Sequence, residues 1–144
     1  SRVSQERLQG FKLGMSKCGL AIRKDLIAHG DYTSSCAAPF VDGFVKNGAT
    51  AIACASDLIA HGVLAELYKL GLNVPRDISV VGFDDIPLAR YTTPPLTTIR
   101  QNRLTIGKSV CMAMEQIMDG NAISRLLLMP ELVVRESTGP VKPA

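Results

Sequence analysis

Apolar residues recur along this chain with two different periods, and the alternation between them sets the expected architecture. From Ser4 to Cys18 the apolar positions Leu8, Phe11, Met15 and Cys18 fall three or four residues apart, the spacing of one face of a helix. Ser4 is a candidate N-cap and Gly19 a stop. Leu26-Ile27-Ala28-His29 is a short apolar run closed by Gly30-Asp31 and reads as a strand followed by a turn. Ala37, Phe40, Val41, Phe44 and Val45 then return to helical spacing, ended by Asn47-Gly48. Thr50 to Ala55 reads as a buried strand. Ile59, Val63, Leu67 and Leu70 mark the next helix, closed by Gly71 and capped by Ser56 or Asp57, capping alone being enough to explain either residue.

The stretch from Ile78 to Gln101, ISVVGFDDIPLARYTTPPLTTIRQ, is the densest in signals. It begins as a β-branched strand that delivers two adjacent carboxylates, Asp84 and Asp85, at its carboxyl end. Its second half starts extended, because Pro94-Pro95 blocks helix and biases the preceding residue toward β. Ile106, Val110, Met114 and Ile117 predict a further helix from Asn102 or Arg103 to Asp119. Two short extended segments follow, Leu126 to Met129 and Leu132 to Val134, separated by Pro130-Glu131, and the proline- and lysine-rich tail after Ser137 is expected to fray. Helices alternating with short strands indicate an α/β fold, a doubly wound parallel sheet with flanking helices. The chain opens on a helix where that alternation expects a strand.

Composition narrows the class without changing this outline. The chain has 144 residues, 47% of them hydrophobic and 20% charged, which suits one modest globular domain and argues against disorder. No apolar run approaches the roughly 20 residues that span a bilayer, and the amino-terminal SRVSQERLQG is polar and charged, unlike a signal peptide. A net charge of +3 with dispersed basic residues gives no electrostatic footprint for nucleic acid. Cys18, Cys36, Cys54 and Cys111 lack metal-ligand spacing and are expected to be free, buried thiols of a reducing compartment. His61 has no partner at i+4 to complete a metal site, and both histidines are expected at the surface or an interface.

Three strand ends bring polar groups to what should be one crevice: Tyr32, then Ser56 with Asp57, then Asp84 with Asp85. In open α/β sheets such carboxyl ends are where ligands bind. Arg7, in the first turn of the first helix, is a cation that gains nothing from the helix dipole; it is either a solvated charge or a planar fork of donors held over a ligand. Tyr32 offers either rim packing or a flat face for a ring. A nucleophile beside a base, a metal constellation and a glycine-rich phosphate loop are all lacking, so no catalytic residue, metal or cofactor is assigned. Carboxylate, guanidinium, hydroxyl and aromatic face together suit a polyol, whose hydroxyls donate and accept at once.

These residues resemble the lactose and galactose repressor (LacI/GalR) family of bacterial transcription regulators. The resemblance rests on Arg7-x-x-Gly10-Phe11, on Ala55-Ser56-Asp57 with Gly62, and on the run from Gly71-Leu72 through Val74-Pro75-Arg76-Asp77 to Asp85. Pro94 to Thr98 with Gln101, Leu132-Val133 with Arg135, and Ser137-Thr138 complete it in family order. It implies the later part of a periplasmic-binding-protein-like core of two subdomains with a small effector, a sugar by expectation, in the cleft between them. It implies a cytoplasmic protein that works as a homodimer or higher oligomer and touches DNA only through an amino-terminal helix-turn-helix headpiece, absent from this chain. Residues 1–100 would be the carboxyl-terminal subdomain lacking its first strand, 101–129 a helix and strand of the other subdomain, and 130–144 a return strand and tail.

Carried over by position, Arg7 and Asp84 match effector-bonding sites, Gln101 a polar cleft position beside a hinge, and Tyr32 a site where some members stack a ring on the sugar. Ser56 stands where many members carry asparagine or aspartate and completes the expected effector site. The helix carrying His61 and the loop near Tyr91 would face the partner subunit, and a fragment of this kind is expected to bind effector weakly by itself. Two other functions compete. A periplasmic sugar-binding protein of a transport system shares the fold; unpaired cysteines and the GFDD and PPLTT blocks favour the regulator. A small α/β enzyme or phosphoacceptor domain would use Asp84 or Asp85, but Lys24, Lys46 and Lys69 lie in linkers or helices rather than at a strand end.

Overall fold

A computed structural model of the protein describes residues 2–123 and 126–140. Its centre is a four-stranded sheet in the order β1-β2-β3-β4, with β1 Ala51–Ala53, β2 Ser79–Phe83, β3 Thr97–Arg100 and β4 Glu131–Val133. The first three strands are parallel, with Ile52 opposite Val80 and Val81 opposite Thr97. The last is antiparallel, with Thr98 opposite Val133 and Arg100 opposite Glu131. Among the described residues four α-helices accompany the sheet: α1 Arg2–Lys17 and α2 Ala38–Lys46 before β1, α3 Asp57–Lys69 between β1 and β2, and α4 Arg103–Met118 between β3 and β4. The α/β class read from the sequence therefore holds; among the described residues the strand order advances in a single direction.

The core is built where two periodicities meet. Val41 from α2 and Ala60, Val63, Leu64 and Leu67 from α3 pack with Ile52, Ile78, Val80, Ala89 and Leu96. Two close approaches make this packing possible. A Cβ on Gly62 would sit 1.8 Å from the carbonyl oxygen of Ser34, and one on Gly82 would sit 2.2 Å from Asp57 Oδ1. Both glycines are needed for lack of bulk and not for an unusual backbone.

Several expectations fail, each for a physical reason. Leu26 to His29 is not a strand: Lys24–Leu26 forms a 3-10 turn, and no described strand lies beside the run to complete a ladder. Leu126 to Met129 is likewise unpaired and exposed, while Ser124 and Arg125 lie outside the described residues. The strand expected to be buried over Thr50 to Ala55 is shorter and lies at the sheet edge, so Ala51 and Ala53 are exposed and Ile52 alone is buried. The tail does not fray at once after Ser137. The Ser137 side chain donates to Val80 O (2.6 Å), the Thr138 hydroxyl bonds that of Thr97 (3.0 Å), and Gly139 N donates to Ser79 Oγ (3.2 Å); the end of that tail, residues 141–144, lies outside the described residues.

The largest departure concerns α1 and α4. Both helices form, α1 starting at Arg2, so that Ser4 lies inside it and does not cap it and Arg7 falls past its first turn, yet neither has a fully buried residue. Phe11 on α1, and Val110, Met114 and Ile117 on α4, point their apolar surface to solvent. Cys18, the residue after α1, and Cys111, on α4, are exposed as well, contrary to the expectation of buried thiols. Cys54 follows the expectation in part: burial, first of all, pushes its thiol up to about 12, so it stays neutral and unreactive.

Candidate functional site

The carboxyl ends of β1 and β2 carry the site. Ser56, the first residue after β1 with a polar side chain, adopts an extended backbone and accepts from Ile59 N through its hydroxyl (3.3 Å), which makes it the N-cap of α3. It is buried, and its oxygen is occupied by the helix end. Asp57, in the first turn of α3, turns inward instead of capping. Its Oδ1 accepts from the Thr98 hydroxyl (2.5 Å) and its Oδ2 from Ile86 N (2.8 Å). Burial pushes the Asp57 carboxyl above its ordinary value, against the two donated hydrogen bonds, and the nearby charges of Asp84 and Asp85 add to the rise.

Beyond Phe83 the chain turns sharply, and Asp84 and Asp85 both have positive φ, 107° and 47°. For residues with a Cβ this backbone costs on the order of 1–3 kcal/mol each and persists only where its surroundings over-determine it. Here they do. Asp84 N donates to Ile99 O (2.8 Å), Arg103 donates to Asp84 O (3.2 Å), and Asp57 holds Ile86 N. The turn aims the Asp84 side chain away from the sheet. Its Oδ1 accepts from Arg7 Nη2 at 3.0 Å and from Gln101 Nε2 at 3.1 Å.

Arg7 reaches this point from α1. Its other terminal nitrogen donates to Ala55 O at 2.5 Å, and the guanidinium lies 3.9 Å from the centre of the Phe83 ring. Ion pairing, a carbonyl and an aromatic face together fix the plane of the fork. The Arg7 side chain is only 18% exposed, against 89% for Arg2 on the same helix, which decides against a solvated surface charge. One turn before Arg7, Ser4 Oγ lies 2.7 Å from the Tyr32 hydroxyl, leaving the Tyr32 ring partly exposed near the start of α1.

Of the five residues singled out in the sequence, three therefore meet at one carboxylate: Arg7, Asp84 and Gln101. Tyr32 is tied to the same helix through Ser4. The Ser56 hydroxyl accepts from Ile59 N at the helix cap, which leaves its O–H donor over, and no described hydrogen bond joins it to the other three. An open cavity of about 260 Å³ lies beside the cluster, lined by Asp84, Asp85, Arg100, Gln101, Asn102 and Arg103. No group of three or more His, Cys, Asp or Glu among the described residues could hold a metal ion.

Sequence reasoning missed the frame behind these side chains. Asp85 accepts from Arg135 Nη2 through Oδ1 (2.5 Å) and from Arg100 Nε through Oδ2 (2.7 Å). Its side chain is 4% exposed. Burial pushes the Asp85 carboxyl up, but the hydrogen bonds from Arg135 and Arg100 outweigh it and hold the group below its ordinary value. The available signal was the second acid of Asp84-Asp85 together with two arginines at the ends of extended segments. Nothing in the local pattern says that they converge.

A family profile described as a periplasmic binding protein-like domain matches residues 1–138. The chain is 39% identical over 137 residues to the HTH-type transcriptional repressor PurR of Vibrio vulnificus, with 92% of the chain and 41% of that protein covered. This is a periplasmic-binding-protein-like domain of the LacI/GalR family. Among solved structures, a sugar-binding transcriptional regulator of the LacI family from Escherichia coli, complexed with phosphate, superimposes with a TM-score of 0.86 at 31% identity, covering 95% of the chain and 50% of that protein. A lac repressor dimer bound to operator and an anti-inducer gives 0.85 at 30% identity, covering 96% and 49%. The LacI/GalR-type chain thus spans about two fifths of the length of the curated relatives it matches. No helix among its described residues is long and apolar enough to cross a membrane.

Proposed function

We propose that this domain is the ligand-sensing part of a cytoplasmic bacterial transcriptional repressor. It binds a small polyol effector, a sugar, at the carboxyl ends of its strands. The observation that carries this reading is the meeting of Arg7, Asp84 and Gln101 on one oxygen. Asp84 Oδ1 receives a guanidinium and an amide, and the cavity in front of it offers further donors and a carboxylate. A sugar hydroxyl that donates to Asp84 while accepting from Arg7 or Gln101 satisfies all three groups, and leaving one of them unpaired costs about 1–3 kcal/mol. Tyr32 presents its ring at the same end of α1. Ser56 contributes through the helix it caps and not as a direct ligand.

The arrangement favours binding over turnover, since no described nucleophile stands beside a base at Asp84. In the full protein the effector acts by preferring one of two arrangements of the cleft, and that differential affinity changes operator binding by a separate headpiece. We assign residues 1–100 to one subdomain, 101–129 to a second subdomain that supplies the opposite wall, and 130–144 to a return strand and tail. The exposed apolar residues of α1 and α4, among them Phe11, Val110, Met114 and Ile117, support this layout, because apolar side chains gathered on an uncovered helix face suit a contact region. Exposed Leu58 and Tyr68 on α3, with Leu88 and Tyr91 on the loop after β2, support a homodimer contact.

The test is a thermal-shift screen of the full-length protein against hexoses, pentoses and disaccharides. At least one sugar is expected to raise Tm by several degrees, and Asp84→Ala to abolish the shift. A transport protein of the same fold would give the same shift but carry a signal peptide in place of a headpiece. Chemical turnover of the sugar, lost in Asp84→Asn, would favour an enzyme instead.

A further inference from the structure

The Asp84 carboxylate can read a ligand only if its direction is fixed, and the backbone bonds of Asp84 to Ile99 and Arg103 hold only one side of the turn it stands on. Asp85 holds the other. Its two oxygens take arginines from two different segments: Arg100 from the last position of β3, and Arg135 from the stretch just past β4. Each arginine is anchored a second time. Arg135 Nη1 donates to Leu96 O at 2.7 Å and its backbone N to Thr97 Oγ1 at 2.9 Å; Arg100 Nη1 reaches Glu131 Oε2 at 3.4 Å. Gln101, which meets Asp84, is the residue after Arg100.

We propose that Asp85 is a positioning residue for the effector site: by gripping Arg100 and Arg135 it sets the direction of the Asp84 carboxylate and holds Gln101 in register with it. This rests on the reading of Asp84 as a ligand-bonding group. Three features carry it. Asp85 is almost fully enclosed, so its charge is neutralised by the two arginines and not by solvent. It has φ 47° beside φ 107° at Asp84, so the two side chains are splayed to opposite tasks by a backbone that must be held. The grip also joins three chain segments that are remote in sequence: residues 84–85, 100–101 and 131–135.

The proposal is tested without any ligand, by side-chain NMR of the full-length protein. In the native protein the Gln101 side-chain amide and the Arg7 guanidinium protons are expected to be resolved and slowed in exchange. In Asp85→Asn, which keeps size and loses charge, both are expected to exchange at least tenfold faster, and Asp85→Glu to recover part of the slowing. Should Asp85→Asn fail to fold, Arg100→Gln, which leaves Arg135 on Asp85, is expected to free the Gln101 amide while leaving Arg7 slowed. Lowered thermal stability with unchanged Gln101 and Arg7 exchange would make Asp85 merely structural and overturn the proposal. A screen in which no sugar binds the native protein would overturn the effector reading and leave these exchange results standing.

Discussion

The helix pair α2–α3 and the helix pair α1–α4 have sequence patterns of similar quality and opposite fates. α3 buries Ala60, Gly62, Val63, Leu64 and Leu67 against β2 and α2, whereas the stripes of α1 and α4 have no fully buried residue at all. Periodicity reports that a face is apolar, and it is silent about which surface covers it. In this LacI/GalR-type domain the buried core lies between the sheet, α2 and α3, and α1 is fastened mainly by the polar grip of Arg7.

The sharpest way to break this comparison is to truncate one apolar side chain in each pair. Leu67→Ala, at a fully enclosed position on α3, is expected to cost about 2–5 kcal/mol in urea unfolding of the chain. Ile117→Ala on α4, where the side chain is exposed, is expected to stay within about 0.5 kcal/mol. Equal losses would show that α4 packs as tightly as α3. Next in size is Gly82→Ala. Its Cβ would drive into Asp57 Oδ1, and overpacking of this kind costs about 1–3 kcal/mol by the same measurement.

The two inner carboxylates give a finer test, because their pH dependences have opposite signs. Asp57 is raised, so the folded state holds its proton more tightly than the unfolded chain. Stability from this group is therefore lost as pH rises from the ordinary carboxylate value through the raised one, and Asp57→Asn should flatten that slope. Asp85 is lowered. Its contribution is full above the ordinary value and is lost as pH falls through the lowered one, so Asp85→Asn should remove the acid-side loss. Tm measured across roughly pH 2–7, the range of carboxylate titration, separates the two. The smallest effect is expected at the exposed Lys46–Asp42 pair on α2, where Asp42→Asn should change stability by at most about 0.5 kcal/mol.

How much of this was legible in the sequence depends on the range of the interaction. Local rules located all four helices, because the caps at Ser56 and Asn102 and the periods behind them act within a few residues. They also placed Asp84 at a strand end, and resemblance added Arg7 and Gln101. The failures are long-range. Leu26 to His29 has the composition of a strand, but a strand needs a neighbour, and composition cannot supply one. The Ser56 hydroxyl accepts from Ile59 N, the cap that the local rule already offered. Asp85 is held by arginines 15 and 50 residues away, a convergence that no pattern along the chain encodes.

The claim on which the account turns is that Asp84 is the group that reads the effector. Isothermal titration of the full-length protein with the sugar selected by the thermal-shift screen tests it directly, comparing the native protein with Asp84→Asn at matched folding. A single saturable site weakened about 5- to 150-fold by the substitution, the loss expected for about 1–3 kcal/mol of unpaired hydrogen bonding, is the predicted result. Saturable binding of unchanged affinity in Asp84→Asn would place the effector elsewhere and contradict it.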